Sequence, residues 1–292
     1  MLLYLNGNII DESAAHISVL DRGFLFGDGV YEVVRFFERY GVALELHTQR
    51  LARSLSLAGI EGFDAQTFPQ ICADLLASNA LQNATIYLQV TRGVGASRSH
   101  VPSTRLTPTV VAIATAVEPL DALTAPQEIS AITAEDLRWR LCEIKTISLM
   151  GNILHLLEAD RHGASEAILH RGGFVGEGAY SNVSITRNGA LITPPIDEDP
   201  PILHGTARAD LLSAARRIGL PTEVRRVTLD ELKSADEVMI SSSRRLVSSV
   251  VSLDGRPVSN GHAGPVSRAL FHECCAEIRT ALVSRESLSM HS

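Results

Sequence analysis

Three β-rich segments and the helical run between two of them constrain this chain most. "VYEVVRFFE" (30–38) is β-branched and aromatic, and "ATIYLQVTRG" (84–93) is a second strand that stops at a glycine. "TPTVVAIATAV" (107–117) reads as a buried strand. Between the first two, "HTQRLARSLSLAGI" places Leu51, Leu55 and Ala58 at helical spacing, with Gly59 as the stop signal. The opening "MLLYLNGNII" turns at Asn6-Gly7 and reads as a hairpin rather than a leader peptide.

"EPLDALTAPQ" (118–127) holds two prolines and little periodicity, which makes it the linker candidate. The spacing predicts a first domain over 1–119, a linker over 120–127 and a second domain over 128–292. In the second, strands are expected near 128–133 and 140–147. A helix follows through "LMGNILHLLEADRHG", with Leu149, Ile153, Leu156 and Leu157 as its apolar face and Gly163 as its C-terminal cap. Hairpins are expected at Gly172-Gly173 and Asn188-Gly189, and an amphipathic helix over 206–220 begins with a threonine and ends with a glycine. There is no internal repeat and no low-complexity segment.

Composition excludes several classes. A formal charge of −7 and a pI near 5.8 disfavour a nucleic-acid binder, which needs a basic face. No apolar run approaches the roughly 18 residues of a membrane span. Cys72, Cys142, Cys274 and Cys275 show neither a CxxC pair nor zinc-ligand spacing, so no metal is expected and a reducing cytoplasm fits the cysteine usage. "FGDG" (26–29) has neither GxGxxG nor GxxxxGK spacing and reads as a tight turn before a strand.

Of the 26 basic residues, 24 are arginine; the two lysines are Lys145 and Lys233. Lys233, in "LDELKSADEV", lies among carboxylates on a surface helix. Lys145 stands in the apolar run "CEIKTISLMGN". Arginine serves wherever a cation is enough, but it does not lose its proton near neutral pH. A desolvated lysine does, and its free amine attacks carbonyls. Position 145 therefore wants an amine and not merely a charge.

The ordered set "DRGFLFGDGVYEVVR" (21–35), "RLARSLSLAGI" (50–60), "IYLQVTRG" (86–93), "RSH" (98–100), "DLRWRLCEIKTISLMGN" (136–152), "EAILHRGGFVGEG" (166–178) and "SNV" (181–183) resembles the class-IV aminotransferases. These pyridoxal-phosphate enzymes include D-amino-acid, branched-chain and amine transaminases and aminodeoxychorismate lyase, and the D-amino-acid branch is the most similar. The resemblance implies an α/β (α+β) architecture of fold type IV, with a smaller N-terminal α/β domain and a larger, barrel-like C-terminal domain. It implies that Lys145 bonds to the aldehyde of pyridoxal 5'-phosphate and then moves a proton between the substrate Cα and the cofactor's C4′. Glu177 would hold the proton on the pyridine nitrogen. Arg50, the helix start at Gly205, Thr206 and Ala207, and Ser242 or Ser243 in "SSSRR" would hold the phosphate. Thr206 also reads as a plain N-cap, and the two roles are compatible.

Tyr31, Arg98 and His100 match the group that takes the substrate α-carboxylate, to which the planar fork of arginine is suited. In the D-amino-acid enzymes the loop carrying the last two reaches in from a partner subunit, so a homodimer is implied. The implied reaction moves the amino group of a D-amino acid such as D-alanine to a 2-oxo acid such as 2-oxoglutarate or pyruvate. A branched-chain or amine transaminase, or the lyase of the same fold, is the alternative. Lys145, Glu177 and Arg50 together argue against a non-catalytic binding protein. Two departures stand out: Tyr180 occupies a position usually held by a small serine near the cofactor ring, and Arg244 and Arg245 replace small polar residues.

Overall fold

The computed structural model describes residues 1–102 and 105–289. The chain forms two compact units, one made by Met1–Ala122 with Ile144–Leu149, the other by Leu123–Glu143 with the chain from Met150 onward.

The first unit is an antiparallel sheet covered by helices. Strands β1 (Leu2–Leu5) and β2 (Asn8–Asp11) form the hairpin expected at Asn6-Gly7. A short helix α1 (Arg22–Phe26) precedes β3 (Gly29–Phe37) and β4 (Tyr40–Gly41). Helices α2 (Leu44–Ala58) and α3 (Phe68–Ser78) lead to β5 (Ala84–Thr91) and β6 (Thr109–Ala116). The six strands run in the order β2-β1-β6-β5-β3-β4. Ala84, Ile86, Leu88 and Val90 alternate inward from β5 and meet Leu51, Leu55, Phe68, Leu75 and Leu76 of the helices. The buried stripe of α2 runs through His47, Arg50, Leu51, Ser54 and Leu55, a 3–4 spacing that keeps one face to the sheet. Its N-terminal half is polar.

The second unit is built on a ten-stranded sheet. Its elements are β7 (Gln127–Glu135), α4 (Met150–Arg161), β8 (Glu166–Arg171), β9 (Phe174–Gly178), β10 (Asn182–Arg187) and β11 (Ala190–Thr193). Then come α5 (Thr206–Arg217), β12 (Thr222–Val224), β13 (Val227–Thr228), α6 (Leu229–Lys233) and β14 (Glu237–Ser242). The chain finishes with β15 (Leu246–Leu253), β16 (Arg256–Pro257) and α7 (Pro265–Ser289). Strands β10-β14-β15-β7-β8-β9 are neighbours in that order, and β9 also pairs back onto β10 at Glu177 opposite Asn182. That pairing closes six strands into the expected barrel-like sheet. Its apolar cluster draws Ile129, Ile168, Val175, Val183, Ile185, Val238, Ile240 and Val250 from all six.

Three expectations are corrected. The segment 140–147 is not a strand: it runs irregularly, and Thr146 alone bridges to Val30. Its apolar residues pack individually, as Ile144 does in the core of the first unit. Helix α4 buries only part of the predicted face: Leu156 packs against the cluster of Ile132, Ala159, Ala167 and Leu169, and Leu149 is half-buried. Ile153 (46%) and Leu157 (48%) stay exposed with Met150 (68%) and Leu154 (58%), while His155 and Ala159 are buried. Finally, Gly205 and not Thr206 caps α5, and no side chain makes the cap bond.

Leu51 is fully buried between α2 and the sheet. Leu51→Ala is expected to cost about 2–5 kcal/mol in urea unfolding with an unchanged m value, because the cavity collapses only in part.

Candidate active site

In the first unit the segment carrying Lys145 is strapped to the start of β3. Tyr31 N–H donates to the Lys145 carbonyl (2.9 Å), and Ile147 N–H donates to that of Gly29 (3.0 Å). The Lys145 N–H donates to Ser54 Oγ on α2 (3.2 Å). Three backbone ties therefore fix an otherwise irregular stretch, and the Lys145 Nζ lies 4.2 Å from the centre of the Tyr31 ring. Two predicted site residues are thus brought together. The turn before β3 is the tight one that "FGDG" implied: Gly27 ends α1 in the left-handed conformation (φ 66°), where a side chain would be strained.

Glu32 shares its strand face with Val30, Val34 and Phe36 and so points into the core under α2, a position that normally demands an apolar residue. Arg50 answers it with a bidentate fork, Nε to Oε1 and Nη2 to Oε2, both 2.8 Å. His47 Nδ1 lies 2.7 Å from Oε2. Burial pushes the Glu32 carboxyl up, but the Arg50 charge and the bonds from Arg50 and His47 outweigh it and hold the carboxyl far below the usual range. Burial also lowers His47, against the pull of Glu32. Glu32 and His47 escaped the sequence reading. The available signals were a carboxylate at a core-facing strand position and a histidine three residues before Arg50.

Arg98 and His100 sit on the loop after β5. The His100 ring lies 5.4 Å from Phe26, and the Arg98 guanidinium lies 5.2 Å from the same ring. Among the described residues no hydrogen bond, ion pair or ring contact joins either of them to Tyr31 or Lys145.

In the second unit Glu177 is buried at the barrel closure. Its Oε1 accepts from Arg138 Nη1 (2.9 Å), and its Oε2 accepts from the Leu203 N–H (2.9 Å) and Asn182 Nδ2 (3.4 Å). The register of β8 against β9 slips just before it, three steps of one strand against two of the other. Such a bulge re-aims side chains, and it turns Glu177 away from the side taken by Val175. Burial raises the Glu177 carboxyl, and Arg138 opposes that rise. Arg138 is itself gripped by Asp136, Nε to Oδ1 at 2.9 Å and Nη2 to Oδ2 at 3.0 Å. Arg138 was missed, although it stands in the matched stretch "DLRWR" two residues after its aspartate.

Asn182 pairs with Ser241 on β14 as well as with Glu177 on β9. Glu177, Asn182 and Ser241 therefore share one face across three strands, which puts Glu177 and Ser241 roughly 10 Å apart. Beside this row lies the start of α5. A Cβ on Gly205 would fall 1.7 Å from Asn182 Oδ1, so only glycine fits there. Thr206 and Ala207 open the helix, where the N–H groups of the first turn and the helix dipole favour an anion. Among the described residues the hydroxyls of Ser241 and Ser242 are buried with no hydrogen-bond partner. Ser241 lies on the face of this row, where its donor could meet an oxyanion, and Ser242, the next residue along the strand, lies on the other face. A buried carboxylate at one end of the row and an oxyanion cradle at the other suit a protonated pyridine with a phosphate arm. The residues fit the cofactor.

Tyr180 packs under the Arg245 guanidinium (5.5 Å) and directs its hydroxyl at the Ser165 carbonyl (3.4 Å). Near it, Glu166 is fully buried and accepts from Ser181 Oγ (2.7 Å), Ala167 N–H (2.9 Å) and Ala179 N–H (3.0 Å). Burial pushes Glu166 up to about 7 despite those donors and Arg245.

The family model of the class IV amino-transferases matches residues 29–253. The chain belongs to the class IV aminotransferases, whose members use pyridoxal phosphate. It is 37% identical to a D-alanine aminotransferase of Staphylococcus haemolyticus over 92% of this chain and 94% of that one. A fold IV transaminase from Curtobacterium pusillum superposes with a TM-score of 0.77 at 28% identity, over 92% of each chain. The branched-chain aminotransferase of Thermoproteus uzoniensis shares the fold, with a TM-score of 0.83 at 24% identity over 94% and 93% of the two chains.

Glu166 supplies a pH test. Its folded value of about 7 exceeds the ordinary 4.5, so the folded state holds the proton more tightly. That stabilisation is complete below pH 4.5 and is lost as pH rises through 7, up to about 3 kcal/mol. Urea unfolding of the cofactor-free protein from pH 5 to 8 should show that slope, and Glu166→Gln should flatten it.

Proposed function

We propose that this aminotransferase moves the amino group of a D-amino acid of the D-alanine type to 2-oxoglutarate or pyruvate. The observation that carries the reading is the likeness to D-alanine aminotransferases, 34–37% identical over 92% of the chain. The chemistry supplied by bound pyridoxal phosphate is an electron sink for the charge left when a substrate Cα loses its proton. Lys145 Nζ takes that proton and returns it on the cofactor's C4′, and the backbone ties around Lys145 restrict where its amine can reach. Glu177 keeps the pyridine nitrogen protonated; its burial makes it a more basic carboxylate, and Arg138 favours its ionised form. Gly205, Thr206, Ala207, Ser242 or Ser243, and Arg50 take the phosphate.

Arg98, His100 and Tyr31 take the α-carboxylate. A homodimer in which each loop serves the partner's substrate fits the loop, which among the described residues makes no bond or ring contact to Tyr31. The face of α4 at Met150, Ile153, Leu154 and Leu157 follows helical spacing, and Leu137, Trp139 and Leu141 are also exposed in the same unit. An apolar area of that kind suits a second copy of this chain. Arg35, on the same strand as Tyr31, lies over Phe37 (4.8 Å) and donates to the Glu118 carbonyl (3.3 Å). The four cysteines are buried and none is in a disulfide, which suits a cytoplasmic protein.

The direct assay is pyruvate release with 2-oxoglutarate as acceptor. D-alanine should react faster than L-alanine, and Lys145→Ala should lower kcat at least about 10³-fold. Equal or reversed preference would move the assignment to the branched-chain side. Sedimentation equilibrium should give twice the chain mass, and Leu154→Glu should shift it toward the monomer.

A further inference from the structure

Arg22 is a buried cation that the mechanism above does not use. Its planar guanidinium makes three bonds in three directions. Nε donates to Asp28 Oδ2 (2.7 Å), Nη1 to the Ser99 carbonyl (2.6 Å) and Nη2 to the His100 carbonyl (2.8 Å). Both carbonyls belong to the loop that carries Arg98 and His100. Asp28 is gripped from its other side by Arg92, Nε to Oδ2 at 2.8 Å and Nη2 to Oδ1 at 2.9 Å. Arg92 in turn donates to the Gly59 (2.5 Å) and Ala58 (2.8 Å) carbonyls at the end of α2. A continuous polar chain thus runs from the helix terminus through Arg92, Asp28 and Arg22 to the backbone of the loop.

Phe26 completes the arrangement. Its ring lies 4.9 Å from the Arg22 guanidinium, 5.2 Å from that of Arg98 and 5.4 Å from the His100 ring. Among the described residues Arg98 has no hydrogen bond or ion pair, so its fork is carried on an aromatic face with its donors unused. At the Arg98–His100 stretch the loop's own bonds are local, Ser99 N–H to the Ser97 carbonyl and Ser99 Oγ to that of Val101. Its remoter ties lie to either side, where Gly95 N–H donates to the Leu20 carbonyl (3.4 Å) and Arg105 pairs with Glu61 (3.3 Å). Without Arg22 the Ser99 and His100 carbonyls lose the donors that tie them to the body of the unit. Ordering such a loop only when substrate arrives would be charged against binding.

We propose that Arg22, locked by Asp28 and Arg92, is the positioning residue that presets the Arg98–His100 loop for the substrate α-carboxylate. The inference rests on the carboxylate role given to that loop above. Arg22 touches neither substrate nor cofactor, so its loss should act on binding and leave chemistry alone. Only a planar fork serves two adjacent carbonyls and a carboxylate at once; the ammonium of lysine lacks that shape.

The test uses the cofactor-loaded protein with Arg22→Gln, Arg22→Lys and Arg98→Ala. Two readouts are taken: steady-state kinetics with D-alanine, and the rate of tryptic cleavage after Arg98 in the Arg22 variants, identified by fragment mass. Arg22→Gln should raise KM roughly tenfold with kcat within about twofold, keep the cofactor absorbance and speed cleavage about tenfold. Arg22→Lys should fall between it and the wild type, and it decides the matter if the glutamine variant does not fold. An unchanged KM and cleavage rate in the Arg22 variants, beside a raised KM in Arg98→Ala, would overturn the clamp alone. Faster cleavage with unchanged KM would overturn it too, since a loosened loop would then bind as well as a fixed one. An unchanged KM in Arg98→Ala would remove the carboxylate role itself, and with it the purpose assigned to Arg22.

Discussion

The barrel of this protein closes on a charge. Strand β9 returns to β10 at Glu177 opposite Asn182, and that glutamate is buried. A buried carboxylate is tolerated only when its lone pairs are met, and here Arg138, the Leu203 N–H and Asn182 meet them. Arg138 needs its own counter-charge, which Asp136 supplies. Removing one partner of such a pair typically costs about 3–5 kcal/mol, because the other charge stays behind in a dry place. The closure therefore commits the strand ends, the segment before α5 and the residues ahead of Lys145 to one arrangement. Pairing with Asn182 also aligns Glu177 with Ser241 and the Gly205 turn.

Three buried glutamates show how differently the fold treats one side chain. Glu32 faces a bidentate arginine and a histidine, and its carboxyl is held low. Glu177 has a single arginine bond and a nearby aspartate, and burial prevails. Glu166 has a hydroxyl and two backbone N–H groups but no bonded cation, and it is raised to about 7. Burial is near complete for all three, so the number and charge of the donors decide the order.

Much of this was legible in the chain itself. Hairpins at Asn6-Gly7, Gly172-Gly173 and Asn188-Gly189 follow from turn chemistry, which is local. Helix α2 and its stop at Gly59 follow from apolar periodicity, also local. The scarcity of lysine singled out Lys145. Reading failed where distant partners decide. The run at 140–147 has strand-like composition but only one bridge to pair with, and on α4 Leu156 and Ala159 pack inward while Ile153, Leu154 and Leu157 face outward. Arg138, Glu32 and His47 look like ordinary polar residues until their buried partners are known.

The sequence by itself determined the class of chemistry. The scarcity of lysine singles out position 145, where arginine could not give up its proton, and the ordered motifs belong to an aminotransferase of class IV. Only the tertiary structure decided which charges are answered and from where. A bulge turns Glu177 toward Asn182, Arg50 forks onto Glu32, and Arg22 reaches 77 and 78 residues along the chain to the carbonyls of Ser99 and His100. Those choices depend on burial and on contacts between distant segments. Neither is carried by local periodicity or composition.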